Sequence, residues 1–354
     1  MGIFFIILSI LLILLSLLPL IQNQHWVFRA SEFLSLQVFI SQIIASIGLF
    51  IFAEQNKMFW VIVLVQFAFI IYHIYIFSKF TKFFKSKNRD IKSSQAIKVI
   101  STNIYQFNKD FDRFKKFIQK ENPDIFITIE SNKDWEVAMR DLEDDYPHAE
   151  KITLENTYGM HMYSKIPFEK ITKHFYVADD VPSIEAHFKT KKGDNFILFS
   201  VHPPPPSPTE EENSKERDGD LLCIAKRSKE LEKPTLVIGD FNTVAWSKIS
   251  ILFRKNSGLI DGRHGRGILA SFHAKYWLLR APLDLVFHSS TIFIKELKVL
   301  ENIGSDHFPI CCEFYIDSSD SSQKNDEETL STDEDKETEE IIEEGKKEKS
   351  ENRN

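Results

Sequence analysis

The chain opens with three long apolar runs, residues 2–21, 33–53 and 58–77. A hydrocarbon core ~30 Å thick needs about 20 apolar residues of helix, so each run can cross a bilayer. The connections, residues 22–32 and 54–57, are short and predict a compact bundle of three transmembrane helices over residues 1–78. The second run carries Ser35, Gln37, Ser41, Gln42 and Ser46. Polar groups in an apolar solvent need partners, so these are expected to face the other two helices. A cleaved signal peptide fits the first run less well. Met1-Gly2 leads straight into Ile3 without a basic segment, and Pro19-Leu20-Ile21-Gln22 offers no small-x-small site.

From residue 97 to 316 the pattern turns globular, with short apolar runs alternating with polar, amphipathic stretches. Strands are expected at 98–104, 125–129, 160–163, 183–188, 196–201, 236–238, 283–287, 292–299 and 310–314. Phe111, Phe114, Phe117 and Ile118 recur at helical spacing behind Asp110, a capping residue, with Pro123 just past the end. Further helices are expected at 134–142 and 210–231. About 220 residues of mixed strand and helix suffice for one large α/β domain.

Charge divides the chain further. Residues 317–354 hold 15 Asp or Glu and 6 Lys or Arg, a net of −9, against −7 for the whole chain, which leaves +2 on residues 1–316. Such a tail is expected to be disordered. A nearly neutral body is not that of a strongly basic nucleic-acid binder. Cys223, Cys311 and Cys312 show no metal-ligand spacing, which argues against a zinc finger or disulfide scaffold. Lys79, Lys82, Lys85, Lys87, Arg89 and Lys92 form a basic linker, residues 79–96, behind the third run. The loops after the first two runs offer only Arg29 and Lys57. The positive-inside rule then places the globular part in the cytoplasm, as a multi-pass protein of the plasma (inner) membrane. The same basic segment could also lie along an anionic lipid surface.

Polar residues gather where strands end, which is where ligand sites of α/β sheets form. Asn103 interrupts the first strand and Glu130 follows Ile125-Phe126-Ile127-Thr128-Ile129. His202 ends Phe199-Ser200-Val201, while Asp240 and Asn242 follow Leu236-Val237-Ile238-Gly239. Asp284 sits inside Pro282-Leu283-Asp284-Leu285-Val286, and Asp306-His307 precede the last strand. A carboxylate inside an apolar run costs several kcal/mol unless it is paired or holds a metal. Taken singly, Asp240-Phe241-Asn242 reads as an Asx turn and Ser305-Asp306-His307 as a loop; the set is far more specific.

These residues resemble the endonuclease/exonuclease/phosphatase superfamily over roughly residues 97–316. The resemblance rests on Gly239-Asp240-Phe241-Asn242 and Gly304-Ser305-Asp306-His307, with Asn103 and Glu130 in support. The run His202-Pro203-Pro204-Pro205-Pro206-Ser207-Pro208, with Gly265-Arg266-Gly267 and the apolar N-terminal part, resembles the membrane-anchored, YafD-like bacterial branch. The implied fold is a four-layer α/β sandwich: two mixed β-sheets face to face, flanked by helices and preceded by the three transmembrane helices. The implied cofactor is Mg²⁺, with Mn²⁺ as a substitute, held by Glu130 with Asn103 beside it and Asp306 completing the shell. Asp240 is implied as general base, Asn242 as holder of water or a phosphate oxygen, and His307 as the phosphoryl contact oriented by Asp284. His202 is implied as a second phosphate contact.

Ile129, Leu285 and Ala245 depart from common family residues and bear on substrate rather than competence. Arg263 and Arg266 belong to a basic, aromatic-interleaved stretch with Arg254, Lys255, Lys275, Arg280, Phe272, Tyr276 and Trp277. That stretch reads as a substrate-binding phosphate contact or as a solvated loop over the site. The expected activity is metal-dependent phosphoester hydrolysis, nuclease-like. The expected partners are the bilayer and a phosphate-containing substrate, either nucleic acid or a phospholipid headgroup. A phosphoinositide phosphatase of the same fold and a non-catalytic membrane scaffold are the alternatives. No protein partner is inferable.

Overall fold

The structure is a computed structural model that describes residues 1–84 and 96–349. Most of the expected basic linker, including Lys85, Lys87, Arg89 and Lys92, lies outside the described residues. Helices α1 (Gly2–Leu17), α3 (Ser35–Phe52) and α4 (Lys57–Ser78) follow the apolar runs, with a short α2 (Trp26–Phe33) between the first two. With a short extension of α1 to Leu20, they give three helices of 19, 18 and 22 residues, long and apolar enough to cross a membrane. Their interior is polar where expected: Gln42 Nε2 donates to Ser16 Oγ at 3.0 Å, and Gln66 Nε2 donates to the Gln42 carbonyl at 2.7 Å and Ser46 Oγ at 2.8 Å. Gln37 departs from that expectation and bonds the globular domain instead.

The globular part runs β1 (Ile97–Asn103), α5 (Phe111–Glu121), β2 (Ile125–Ile129), α6 (Lys133–Ala138), β3 (His148–Ile152) and β4 (Met160–Ser164). It continues with β5 (Phe168–His174), β6 (Ser183–Lys189), β7 (Asn195–Val201), α7 (Lys215–Glu230) and β8 (Thr235–Asp240). Then come α8 (Lys248–Ser257), β9 (Ile260–Asp261), β10 (Asp284–His288), β11 (Ile292–Val299), β12 (Ile310–Ile316) and α9 (Thr332–Lys347). Two six-stranded sheets result, ordered β11-β12-β1-β2-β4-β3 and β5-β6-β7-β8-β10-β9. Each has one parallel pair, β1–β2 or β7–β8, among antiparallel neighbours.

The four layers follow from period-2 alternation within runs that are apolar on both faces. Val99, Ile127, Leu198, Ile238 and Val286 point between the sheets. Their neighbours Ile100 and Phe126 point outward under α5 and α6, against Phe114, Phe117 and Trp135. Phe199, Val237 and Phe287 point outward under α7 and α8. Gly239 lets β8 approach β7, since a Cβ there would stand 2.1 Å from the Val201 carbonyl oxygen.

Two expectations need correction. The helix expected from residue 210 begins at Lys215, because residues 207–211 close a turn with the Ser207 amide donating to the Glu211 carbonyl. The tail is not disordered throughout: α9 carries a Ser331–Glu334 capping box and packs on α7. Ile342 enters the core beside Leu221 and Leu222. The acidic surplus is met by lysines of the body: Lys215 pairs with Glu348, Lys226 with Glu339, Lys248 with Glu337 and Lys255 with Glu334.

Among the described residues, the apolar helices meet the domain at the end where α2 lies and α4 finishes. The Ser214 and Trp26 amides donate to the Gln24 and Glu212 carbonyls at 2.8 and 3.0 Å. Trp246 Nε1 donates to the Glu32 carbonyl at 3.1 Å, and its ring meets Phe77 edge-on at 5.0 Å. At the opposite end of the bundle Gly2 lies against Phe52.

The docking of α9 is tested at Gly345, where a Cβ would come within 2.7 Å of the Lys215 carbonyl oxygen. Gly345→Val should speed hydrogen exchange of residues 335–347 at least about 10-fold while β1 and β8 keep their protection. Unchanged exchange in α9 would refute this packing.

Candidate active site

The parallel pair in each sheet brings its chemistry to one end. Asn103 ends β1, Glu130 follows β2, His202 follows β7 and Asp240 ends β8. Asp284 opens the antiparallel β10 and pairs in register with Asp240, so it lies at the same end. The loop before β12 carries His307 across from the first sheet to the second.

Asp240, Asp284 and His307 converge so closely that one ligand atom from each lies within 4.8 Å of the others. His307 Nδ1 is 2.9 Å from Asp284 Oδ2, and its Nε2 is 3.5 Å from Asp240 Oδ2. Burial alone would lower the His307 pKa, but Asp284 and Asp240 outweigh it and raise it to about 10. The ring is therefore an imidazolium at neutral pH that donates from Nδ1 to Asp284 and turns Nε2 toward Asp240 as an ion pair. His202 is the opposite case. Its burial dominates and lowers it to about 4, so it approaches Asp240 Oδ2 at 3.9 Å as a neutral ring.

Glu130 accepts from Asn103 Nδ2 at 2.7 Å and from the Gln106 amide at 3.0 Å. Asn103 Nδ2 also lies 3.3 Å from Asp240 Oδ2, so one amide spans both sheets. Burial pushes the Glu130 carboxyl up to about 7, against the pull of those two bonds. Glu130 and Asn242 both hold left-handed backbones, φ +68° and +49°. Such backbones cost of order 1–3 kcal/mol each and persist where surrounding structure fixes them. Asn242 is fixed by its amide on Asp240 Oδ1 at 3.0 Å and by Nδ2 on the Pro203 carbonyl at 2.9 Å.

Three carboxyl groups, Glu130, Asp240 and Asp284, thus face one imidazolium, and Asp306 acts electrostatically on both Glu130 and His307. Asp284 Oδ1 and His202 Nδ1 are buried with no hydrogen-bond partner among the described residues. An oxygen-rich, acid-heavy recess of this kind suits a hard divalent cation.

Eight of the ten expected residues therefore meet at the site: Asn103, Glu130, His202, Asp240, Asn242, Asp284, Asp306 and His307. Arg263 and Arg266 do not. Arg263 is fully buried in a two-pronged pair with Asp261, at 3.0 and 2.9 Å, on the edge of the second sheet. Arg266 turns back onto the Gly262 and Ile294 carbonyls at 3.0 and 3.1 Å.

Sequence reasoning missed the supporting shell. Ser305 Oγ donates to the Asn103 carbonyl at 2.8 Å and accepts the His307 amide at 3.0 Å. Ser271 Oγ accepts the Asp284 amide at 3.2 Å. Arg217, buried, donates to the Asn242 carbonyl at 2.9 Å. Ser305 lies inside the quoted Gly304–His307 motif and could have been assigned; Ser271 and Arg217 carry no local signal.

The profile of the Endonuclease/Exonuclease/phosphatase family matches residues 100–307, and the chain belongs to that family. Its known members include nucleases and phosphatases, all hydrolases. Solved structures share the fold at low identity. A zebrafish (D. rerio) TDP2 complexed with single-strand DNA product aligns with TM-score 0.53 at 15% identity, over 63% of this chain and 100% of that one. An endonuclease/exonuclease/phosphatase from Bacteroides vulgatus gives TM-score 0.52 at 18% identity, over 63% and 100%. A Bacteroides thetaiotaomicron mannosyl-6-phosphatase gives TM-score 0.51 at 19% identity, over 62% and 100%. No curated protein matches the chain.

The His307 pairing has a measurable consequence. Its raised pKa means stabilisation that is full below the unfolded value of ~6.5 and is lost as pH rises through about 10. Asp284→Asn should bring the imidazole titration, followed by NMR, back toward the ordinary range. A titration unmoved by that change would dissolve the pair.

Proposed function

We propose that the chain is a membrane-anchored, Mg²⁺-dependent phosphoesterase of the YafD-like branch, hydrolysing a phosphate ester by in-line attack of water. The observation that carries this is the placing of Asp240. It lies 3.5 Å from an imidazolium and 3.3 Å from the amide that also holds Glu130. In this reading residues 1–78 form the membrane domain and residues 97–316 the catalytic domain.

Mg²⁺, when bound, supplies Lewis acidity and neutralises phosphoryl charge. Glu130 would be its main holder, with Asn103 and Asp306 contributing beside it. Asp240 takes the proton from the attacking water, and the Asn242 amide fixes the carboxylate that does so. The water oxygen bonds to phosphorus, the ester P–O bond breaks, and the departing oxygen takes a proton from solvent. His307 donates from Nε2 to a phosphoryl oxygen as charge grows, while Asp284 keeps the ring protonated. Neutral His202 offers a second donor. Manganese substitutes for magnesium, since both prefer oxygen ligands.

With bis(p-nitrophenyl) phosphate as a soluble test ester, hydrolysis should require Mg²⁺ or Mn²⁺ and stop in excess chelator. Asp240→Asn should lower turnover by about 10²–10⁴-fold with little change in melting temperature. Glu130→Gln should weaken Mn²⁺ binding, read by calorimetry, while circular dichroism stays native. Full turnover of Asp240→Asn would remove the catalytic assignment. For topology, a fluorescent protein fused after Asn354 should fluoresce and an alkaline phosphatase fused there should be inactive. The reverse pair of results would place the domain outside.

A further inference from the structure

Residues 276–279 put four consecutive large apolar side chains on the surface. Tyr276, Trp277, Leu278 and Leu279 are 51%, 71%, 60% and 52% exposed. Four large apolar side chains left together in water forgo the gain of burial, so such a patch marks a surface that is covered in use.

This loop is built into the active site at its base. The Phe272 ring lies tilted against His307, at 43°, with centroids 4.8 Å apart. The Ala274 amide donates to the Asp306 carbonyl at 2.6 Å. The Arg280 guanidinium lies 4.7 Å over the Phe308 ring and donates to the Ala274 carbonyl at 3.2 Å. Its tip is tied to the membrane helices. Gln37 Nε2 donates to the Leu278 and Arg280 carbonyls, both at 3.0 Å. Gln37 stands in the first turn of α3, at the level where that apolar helix starts.

Three attachments of the helices fall in loops leaving the catalytic end of the second sheet, while Lys79 behind α4 accepts the Gly265 amide and pairs with Glu328 of the tail. Glu212 and Ser214 follow β7 and His202, Trp246 follows β8 and Asp240, and Leu278 and Arg280 precede β10 and Asp284. The end of the domain that carries the chemistry is the end that faces the helices.

We infer that the 273–280 loop seats in the bilayer interface and holds the mouth of the active site on the lipid surface, so that the ester hydrolysed is that of a lipid headgroup. This rests on the phosphoesterase reading above and names its substrate class. Trp and Tyr are the side chains favoured at a membrane–water interface. Lys275 stands 5.5 Å over the Tyr276 ring, and with Arg280 it brackets the apolar tip with charge suited to anionic headgroups. Exposed aromatic groups beside a phosphate site can also stack nucleic-acid bases. The level of Trp277 and Leu278 beside the start of α3 favours lipid.

The test uses the full chain in vesicles of phosphatidylcholine and phosphatidylglycerol. Tryptophan emission is compared between the chain and Trp277→Phe. The difference signal should be quenched by lipids brominated near the headgroup and protected from aqueous iodide; iodide quenching without bromolipid quenching would overturn the seating. The variant carrying Trp277→Glu and Leu278→Glu should release phosphate or headgroup from the vesicle lipids at least about 10-fold more slowly. It should hydrolyse bis(p-nitrophenyl) phosphate as the unaltered chain does. An equal loss on both esters, no loss on lipid, or faster cleavage of single-stranded DNA or RNA than of any lipid would each refute the inference. Absence of hydrolysis of the soluble ester would instead defeat the phosphoesterase reading, and the quenching result would still decide where the loop lies.

Discussion

The buried line Asp284–His307–Asp240 is the interaction on which the rest depends. Its two carboxylates stand on adjacent strands of one sheet, and its imidazolium arrives on a loop of the other. Asn103 adds a second tie, from β1 to Asp240. At this end the layers are joined by charge as well as by apolar packing. Breaking such a set by removing one partner leaves an unpaired buried charge, which typically costs several kcal/mol. The sandwich therefore cannot open at the site without also losing the site.

The same arrangement explains why the recess is acid-heavy. One imidazolium cannot balance Glu130, Asp240 and Asp284 together. The left-handed backbones at Glu130 and Asn242 add local strain of order 1–3 kcal/mol apiece. A fold selected for stability alone would relax both features, for example with a neutral side chain at 130. Their presence together, at the ends of well-packed strands, is what a phosphate-ester site needs: fixed acceptors for a cation and water, and a fixed donor for the phosphoryl group.

What was legible in the sequence follows from burial. β1, β2, β7, β8 and β10 are covered on both faces, so their apolar runs stand out, and the polar residue that ends each run is visible by contrast. β3 and β5 are edge strands on which only Ile152 is buried, and His148–Ile152 and Phe168–His174 show no clean alternation. Helix α8 went unread although Ser247 caps it, Gly258 ends it, and Ile249, Leu252 and Phe253 have helical spacing. The tail misled for a different reason. Its composition predicts self-repulsion, and the lysines of α7 and α8 that cancel it lie about 80 to 130 residues away in sequence. The buried pairing of Arg263 with Asp261 was equally invisible, because a local i,i+2 pair and a free phosphate contact look alike in one dimension.

The apolar helices are joined to the chemistry through charge as well as contact. Arg29 and Glu32 form a buried pair on α2 at 2.9 Å. Burial pushes the Glu32 carboxyl up, and both Arg29 and Arg217 pull it back. Arg217 also binds Asp218 at 2.7 Å and the Asn242 carbonyl at 2.9 Å, and the Asn242 amide holds Asp240. A displacement of α2 would thus disturb a desolvated charge cluster two contacts from Asp240. Buried ion pairs contribute little net stability, but they penalise misplacement strongly. Here that penalty fixes one orientation of the helices on the domain, and the same residues fix the backbone that carries Asn242. Attachment to the helices and alignment of Asp240 are therefore a single constraint, satisfied by one set of side chains.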